Sequence, residues 1–410
     1  MNGLDQTEPP VAGGASPSAS PPSASPPSAS PPVGLGSLPD FELERFFDRF
    51  EFDLPYQMGS SDPETLSLGD LLDHAGRRLR ARWTKLRLGY RTAAGDPDLR
   101  AAIAATYRGR HADDVIVTVG AAEALLLAFA ALIEPGDRVV ALSPAYQSLH
   151  EVPRSMGARL ELVRVPQAAE GDWRFPLDRL LDALQPGVRL LVLNVPHNPT
   201  GVTVTPDQLR IIVSRCEALG IRVVGDEVYR GLEWAGPTPR SVTELSDTAL
   251  AVGVTSKVYG LAGLRIGWLV TGDAECRRRM VSIKDYTTLC AAGPSEVLAM
   301  IAMRANVALR ERTRTRCLKN MAHLETFVDA RPDLFAWRRP AASTISVARI
   351  APPLLGRHGG DPERVFSHWR EAAGVVVAPG LAFGCAADQF RLGFGRADLP
   401  RALEALAGAS

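Results

Sequence analysis

The chain has 410 residues, of which 46% are hydrophobic and 22% charged, and its 46 basic residues are balanced by 46 acidic ones for a formal net charge of zero. That is an ordinary globular composition, long enough for one large domain and a smaller one, and it leaves no electrostatic footprint for nucleic acid or an anionic membrane surface. Five scattered cysteines without Cys-x-x-Cys spacing and seven histidines without ligand spacing argue against a disulfide framework and a metal centre. No long apolar run and no basic-then-apolar N-terminus stands in the sequence, so a soluble, cytoplasmic protein is expected.

Residues 1–38 are rich in Pro, Ser, Ala and Gly, with Pro-Pro-Ser-Ala-Ser repeated at 21–25 and 26–30. Such a segment buries too little apolar surface to offset its ordering entropy, and a disordered arm is predicted. From Asp40 the spacing of Phe41, Leu43, Phe46 and Phe47 predicts a helix, followed by an extended stretch over 52–56 and a turn at Gly59-Ser60-Ser61-Asp62. Gly89-Tyr90 and Gly95-Asp96-Pro97-Asp98-Leu99-Arg100 read as a turn leading into a helix.

A β-branched run over 115–119, then Gly120 and an apolar helix over 121–132, creates a strand–glycine–helix junction. Free backbone N–H groups and a positive dipole end make such a junction a seat for phosphate, although the same junction occurs throughout α/β proteins. A strand over 138–142 ends in Ser143-Pro144-Ala145-Tyr146, and another over 190–193 ends in Asn194-Val195-Pro196-His197-Asn198-Pro199-Thr200-Gly201. After a helix over 206–219, the strand 221–225 ends in Asp226-Glu227-Val228-Tyr229. A carboxylate there lies where open α/β sheets bind ligands. The alternation of strands and helices over about 100–270 predicts a mostly parallel sheet covered on both faces.

A strand over 251–254 leads into Thr255-Ser256-Lys257-Val258-Tyr259-Gly260-Leu261-Ala262-Gly263-Leu264-Arg265-Ile266-Gly267-Trp268. A lysine on such a loop, if removed from water, favours its neutral amine, which is a nucleophile toward carbonyls. The remainder reads as helix over about 273–330, short strands over 345–349 and 375–377, and the segment Phe390-Arg391-Leu392-Gly393-Phe394-Gly395.

Together, Ser256-Lys257-(x)2-Gly260-(x)2-Gly263-(x)-Arg265-(x)-Gly267-Trp268, the 194–201 segment and the 226–229 segment resemble the class I/II aminotransferase family of fold-type I pyridoxal-phosphate (PLP) enzymes. The resemblance covers about 40–410. It implies an α/β PLP-transferase fold, with a mostly parallel seven-stranded sheet in a large domain (91–305) and a smaller α+β domain from 39–90 and 306–410. It also implies roles for single residues. Lys257 holds the cofactor aldehyde and, once released, is the general base. Asp226 faces the pyridine nitrogen, Asn198 and Tyr229 the ring oxygen, and Tyr146 the ring face. The backbone at Ala121 and Ala122 holds the phosphate with Ser256, Arg265 and Tyr90 of a neighbouring subunit. Family members often carry a hydroxyl residue where Ala121 stands, which shifts the phosphate's hold toward backbone and Arg265. Arg391 is the arginine that takes the substrate carboxylate, with Asn198 beside it. Tyr90 and Thr287-Thr288 match segments that reach a partner's cofactor, so a homodimer is expected.

Three functions share these residues, because transamination, elimination and ring closure all begin at the substrate α-carbon. The first is an amino-acid aminotransferase. The second is an eliminating, replacing or cyclising enzyme, since residues 146–149, 256–261 and 285–288 are similar to the capreomycidine synthase group, and S-adenosylmethionine is the substrate in the related aminocyclopropane carboxylate synthases. The third is a PLP-fold binding or regulatory protein, against which the intact Lys257, Asp226 and Arg391 argue. The substrate side chain is expected to meet residues 52–62 and 341–346.

Overall fold

The computed structural model describes residues 33–168, 171–234 and 236–409. The Pro/Ser repeats lie outside them. Residues 33–38, counted above with the disordered arm, instead form a short 3-10 turn (Leu35–Ser37), and the Gly34 N–H donates to the Ser155 carbonyl at 2.7 Å.

The main sheet consists of β1 (Val115–Thr118), β2 (Arg138–Ser143), β3 (Arg159–Arg164), β4 (Val188–Asn194), β5 (Arg222–Asp226), β6 (Leu250–Val254) and β7 (Gly267–Val270), in the order β1-β7-β6-β5-β4-β2-β3. β3, β2, β4, β5 and β6 pair in parallel, whereas β7 runs antiparallel between β1 and β6. Helices such as Gly120–Leu132 and Pro206–Ala218 join the strands and cover both faces, so the central strands are apolar on both sides. β3 and β7 escape sequence reading for different reasons. β3 is an edge strand exposing Arg159, Glu161 and Arg164, and so shows no apolar run. β7 is four residues long and is hidden in the lysine motif.

The helical stretch expected over 273–330 is three helices, Ala274–Lys284, Gly293–Arg304 and Asn306–Ala330, with Leu289 at a positive φ of 64° in the first break. A second, antiparallel sheet has the order β10-β11-β9-β8, from β8 (Phe335–Trp337), β9 (Ile345–Ile350), β10 (Ala378–Pro379) and β11 (Gln389–Gly393). Its core is aromatic, with Trp369 and Phe390 edge-to-face at 5.3 Å between centroids. The strand expected over 375–377 is displaced: Val375 makes a lone bridge to Tyr56, and pairing proper starts at Ala378. Tyr56 to Ser60 is thereby laced to this sheet, with the Gly59 N–H donating to the Val376 carbonyl (2.7 Å) and the Gly393 N–H to the Met58 carbonyl (2.6 Å). No helix among the described residues is long and apolar enough to cross a membrane.

Candidate active site

The carboxyl ends of β4, β5 and β6 open on a cavity of about 540 Å³, which the small sheet and the helix Glu42–Phe50 close from the other side. The register fixes what stands there. Asn194 and Asp226 are paired residues at the ends of β4 and β5. Val254 pairs with Gly267, so Lys257 lies on the loop joining the antiparallel strands β6 and β7. Thr255 braces that loop, its N–H and hydroxyl both donating to the Ile266 carbonyl at 3.0 Å.

Lys257 Nζ donates to Ser61 Oγ at 2.7 Å. Burial pushes its ammonium below the usual lysine range, helped by Arg391 and Arg265 and opposed by Asp62 and Glu44. Asp226 is 5% exposed; its Oδ2 accepts from Asn194 Nδ2 at 3.1 Å, and its Oδ1 has no protein partner. Burial drives this carboxyl up to about 7, with the Val228 N–H and Lys257 pulling back only in part. Tyr229, 1% exposed, brings its hydroxyl to the same cavity without a hydrogen bond of ordinary geometry, and burial raises it to about 12.

Arg391 comes from β11 and is 1% exposed. Its guanidinium stacks 4.7 Å from the Phe383 centroid, donates to the Gly59 carbonyl through Nη2 (2.8 Å) and reaches Asn198 Oδ1 through Nη1 (3.2 Å). The Asn198 N–H is in turn held by Asn194 Oδ1 at 2.7 Å. On the opposite wall the helix Gly120–Leu132 begins without a side-chain cap, leaving its first N–H groups free of a side-chain acceptor. Gly120 has φ of +75°, and a Cβ there would stand 2.7 Å from Arg265 Nη2, so the arginine lies directly over the helix start. Arg265 itself holds a left-handed φ of 50°, a conformation rare outside glycine and found where a site needs a side chain aimed in one direction.

The sequence profile of the family described as aminotransferase class I and II matches residues 57–406. The chain belongs to that family. It is similar to the capreomycidine synthase of Streptomyces vinaceus, 33% identical over 91% of this chain and 94% of that protein. It is also similar to the valine–pyruvate aminotransferase of Mycobacterium tuberculosis, 35% identical over 52% of this chain and 56% of that one. A PLP-dependent aminotransferase from Streptococcus suis superposes with a TM-score of 0.83 at 28% identity, covering 91% of this chain and 97% of that chain. This class I/II aminotransferase family member is accordingly a PLP-dependent enzyme of fold type I.

The cavity is suited to that cofactor on its own terms. An uncapped helix start under a guanidinium is a seat for a phosphate dianion. A buried carboxylate oxygen without a partner calls for a cationic N–H, because leaving it unpaired is costly. The unpartnered Tyr229 hydroxyl is a donor for a ring oxygen.

Of the sequence-predicted residues, Ala121, Ala122, Tyr146, Asn198, Asp226, Tyr229, Ser256, Lys257, Arg265 and Arg391 all line this one cavity. Tyr90 does not: it is 89% exposed on the surface of the single chain. Thr287 and Thr288 donate to Glu123 Oε1 at 2.6 and 2.7 Å, outside the cavity. Within 52–62 only Ser60, Ser61 and Asp62 face the cavity, and 341–346 stands behind them, with Thr344 Oγ1 donating to the Ser61 carbonyl at 2.6 Å. The helix Glu42–Phe50 fills the place given to 341–346. It and the following residue contribute Leu43, Glu44, Phe47 and Glu51, on the segment that the family resemblance makes an arm crossing toward the substrate site but without a role for any one of them. The signal was present in the spacing, since 44, 47 and 51 share one helix face. Tyr146 is fixed from that helix, its hydroxyl donating to Glu44 Oε1 at 2.8 Å.

Proposed function

We propose that this chain is an amino-acid aminotransferase whose site residues are those gathered around Lys257. The observation that carries this reading is the convergence of Lys257, the unpartnered Asp226 Oδ1 and Arg391 on one cavity. PLP, when bound, supplies a ring that takes up the electron pair left at the substrate α-carbon. The helix start at Ala121 and Ala122, with Ser256 and Arg265, would hold the phosphate; Asp226 would keep a proton on the ring nitrogen; Asn198 and Tyr229 would donate to the ring oxygen. Tyr146 covers the ring face. Arg391 binds the substrate carboxylate with its planar fork. Lys257 would hold the cofactor's aldehyde carbon and, with its amine free, would move the proton from the substrate α-carbon, a task to which its lowered basicity is suited. Tyr90 completes the phosphate site of a second copy in a homodimer, and the protein works in the cytoplasm.

A second reading is a cyclising or eliminating enzyme on the same residues. It is favoured by the match to capreomycidine synthase, which spans 94% of that protein where the valine–pyruvate aminotransferase match spans 56% of its own. Incubating the PLP-loaded protein with an amino-acid panel, with and without pyruvate or 2-oxoglutarate, separates the two. Amino transfer to the keto acid supports the first reading. Consumption of the amino acid without an acceptor, with ammonia or a cyclised product, supports the second.

A further inference from the structure

Once the proposed roles are assigned, the cavity has one wall left. The helix start and Arg265 take the phosphate, Asp226 and Tyr229 the ring, Lys257 the amine and Arg391 the carboxylate, so a side chain leaving the α-carbon faces the helix Glu42–Phe50, Glu51 and Asp62. That wall is acidic. Glu44, exposed, and Glu51, half-buried just past the helix end, are seven residues apart and line the open side of the cavity together with Phe47 between them.

The three carboxylates are not equally provided for. Asp62 accepts from Arg396 at 2.9 Å and from Ser60 Oγ at 2.7 Å. Burial raises it, but Lys257, Arg396 and its hydrogen bonds from Ser60 and the backbone together hold it below the ordinary range. Glu44 accepts only the neutral hydroxyl of Tyr146. Glu51 makes no hydrogen bond or ion pair through its carboxylate among the described residues. Burial and the like charges of Asp62 and Glu44 raise it, and Arg396 and Lys257 offset that only in part. Among the described residues Arg396 ion-pairs with Asp62 alone, and the other cations that feel these carboxylates, Lys257 and Arg391, are the groups committed to the cofactor and the substrate carboxylate. The buried, unpartnered Asp226 Oδ1 and Tyr229 hydroxyl in the same cavity mark it independently as a ligand site.

We infer that the substrate is an amino acid whose side chain ends in a cation, either a guanidinium or an ammonium, received by Glu44, Glu51 and Asp62. The inference rests on the proposed placement of the substrate carboxylate on Arg391. An anionic side chain would add a fourth negative charge to this wall, and a neutral one would leave Glu51 partly desolvated and unpaired. Phe47 adds an aromatic face of the kind cations favour.

The test uses the PLP-loaded full chain and side chains matched in shape: L-arginine against its neutral isostere L-citrulline, L-lysine against L-norleucine, with L-glutamate as the anionic arm. Initial rates are followed by keto-acid formation and amino-acid loss, and binding by calorimetric Kd. Arginine over citrulline, or lysine over norleucine, by about tenfold or more in kcat/KM and in Kd is expected, as a charge-assisted contact is worth at least that factor. Whichever cation pair shows the larger ratio names the head group. In the Glu44→Gln/Glu51→Gln double variant that ratio should collapse toward one; because it compares two substrates on one protein, any general loss of folded enzyme cancels. Neutral or anionic side chains used as well as cationic ones, or a ratio unmoved in the double variant, would overturn the inference and leave the functional reading standing. Silence toward every amino acid would overturn both.

Discussion

Lys257 Nζ sits 2.7 Å from Ser61 Oγ, joining the loop between β6 and β7 to a segment that the small sheet holds in place. Residues 196 positions apart in the chain thus meet at the one nucleophilic amine of the cavity. The serine orients the amine without neutralising it, and burial keeps its proton loosely held.

Replacing that amine should abolish chemistry before it abolishes structure. Lys257→Ala should lower kcat by about a thousandfold or more, the scale expected for losing a proton-transfer group. Borohydride reduction of the native protein followed by peptide mapping should find the pyridoxyl group on Lys257. A label on Lys284, a fully buried lysine near Thr288, would sink the assignment.

Asp226→Asn removes a charge and almost no volume. The phosphate seat on the far wall is untouched, so the cofactor should still bind while kcat falls about a hundredfold or more, at ~1.4 kcal/mol per tenfold. Absorbance titration and steady-state rates measured on one preparation would separate the two effects. Near-normal kcat would move the cofactor ring away from Asp226.

The same carboxyl predicts a pH effect in cofactor-free protein. Its folded value of about 7 lies above the ordinary 3.8, so the folded chain binds this proton more tightly than the unfolded chain. Its stabilising contribution is complete below about 4 and is lost as pH rises toward 7. Denaturant unfolding of native and Asp226→Asn proteins should diverge across that window in favour of the amide, by about 4 kcal/mol. Glu227, also raised to about 7, is common to both and drops out of the difference. Parallel pH curves would contradict the burial of Asp226 as an unpaired acid.

Gly267 carries a steric prediction. It stands opposite both Val254 and Thr118, and a Cβ there would lie 2.5 Å from the Gly120 carbonyl carbon and 2.8 Å from the Ala121 nitrogen. Gly267→Ala must therefore push the helix start away from β7. Overpacking of this kind costs about 1–3 kcal/mol, and its mark should be a PLP Kd raised about tenfold, with the far wall at Arg391 unaffected. An unchanged Kd would show that the phosphate does not rest on that helix.

Tyr90 tests the homodimer. Exposed beside Leu88 at 89% and 85%, it has no function within its own chain's cavity. Sedimentation should find a dimer at assay concentration, and Tyr90→Phe should weaken PLP by about tenfold through one lost hydrogen bond to a charged phosphate. A fully active monomer would refute the shared site.

What the sequence disclosed and what it withheld divide along physical lines. Lys257, Asn198 and Arg265 lie on tight loops after strand ends, and Asp226 on the last residue of β5, where backbone geometry restricts the residue choice and so leaves a motif. The apolar runs of β1, β4 and β6 announce strands because both faces are buried. β3 has one wet face and an exposed edge, and its mixed composition hides it. Glu44 and Glu51 are only half legible for another reason: their spacing shows a shared helix face, but only the packed structure shows that this face borders Lys257's cavity.

Asn194 holds more of this site together than its single amide suggests. Its Nδ2 donates to the Asp226 carboxylate and to the Asp226 carbonyl, both at 3.1 Å, while its Oδ1 receives the Asn198 N–H, and Asn198 Oδ1 in turn meets Arg391. Asp226 and Arg391, the cavity's buried anion and cation, therefore hang from one hinge pin and cannot be adjusted separately. Substitutions on the two sides should interact strongly instead of adding, and a laboratory lineage selected for a new carboxylate partner at Arg391 would drift, unselected, in the acidity of Asp226.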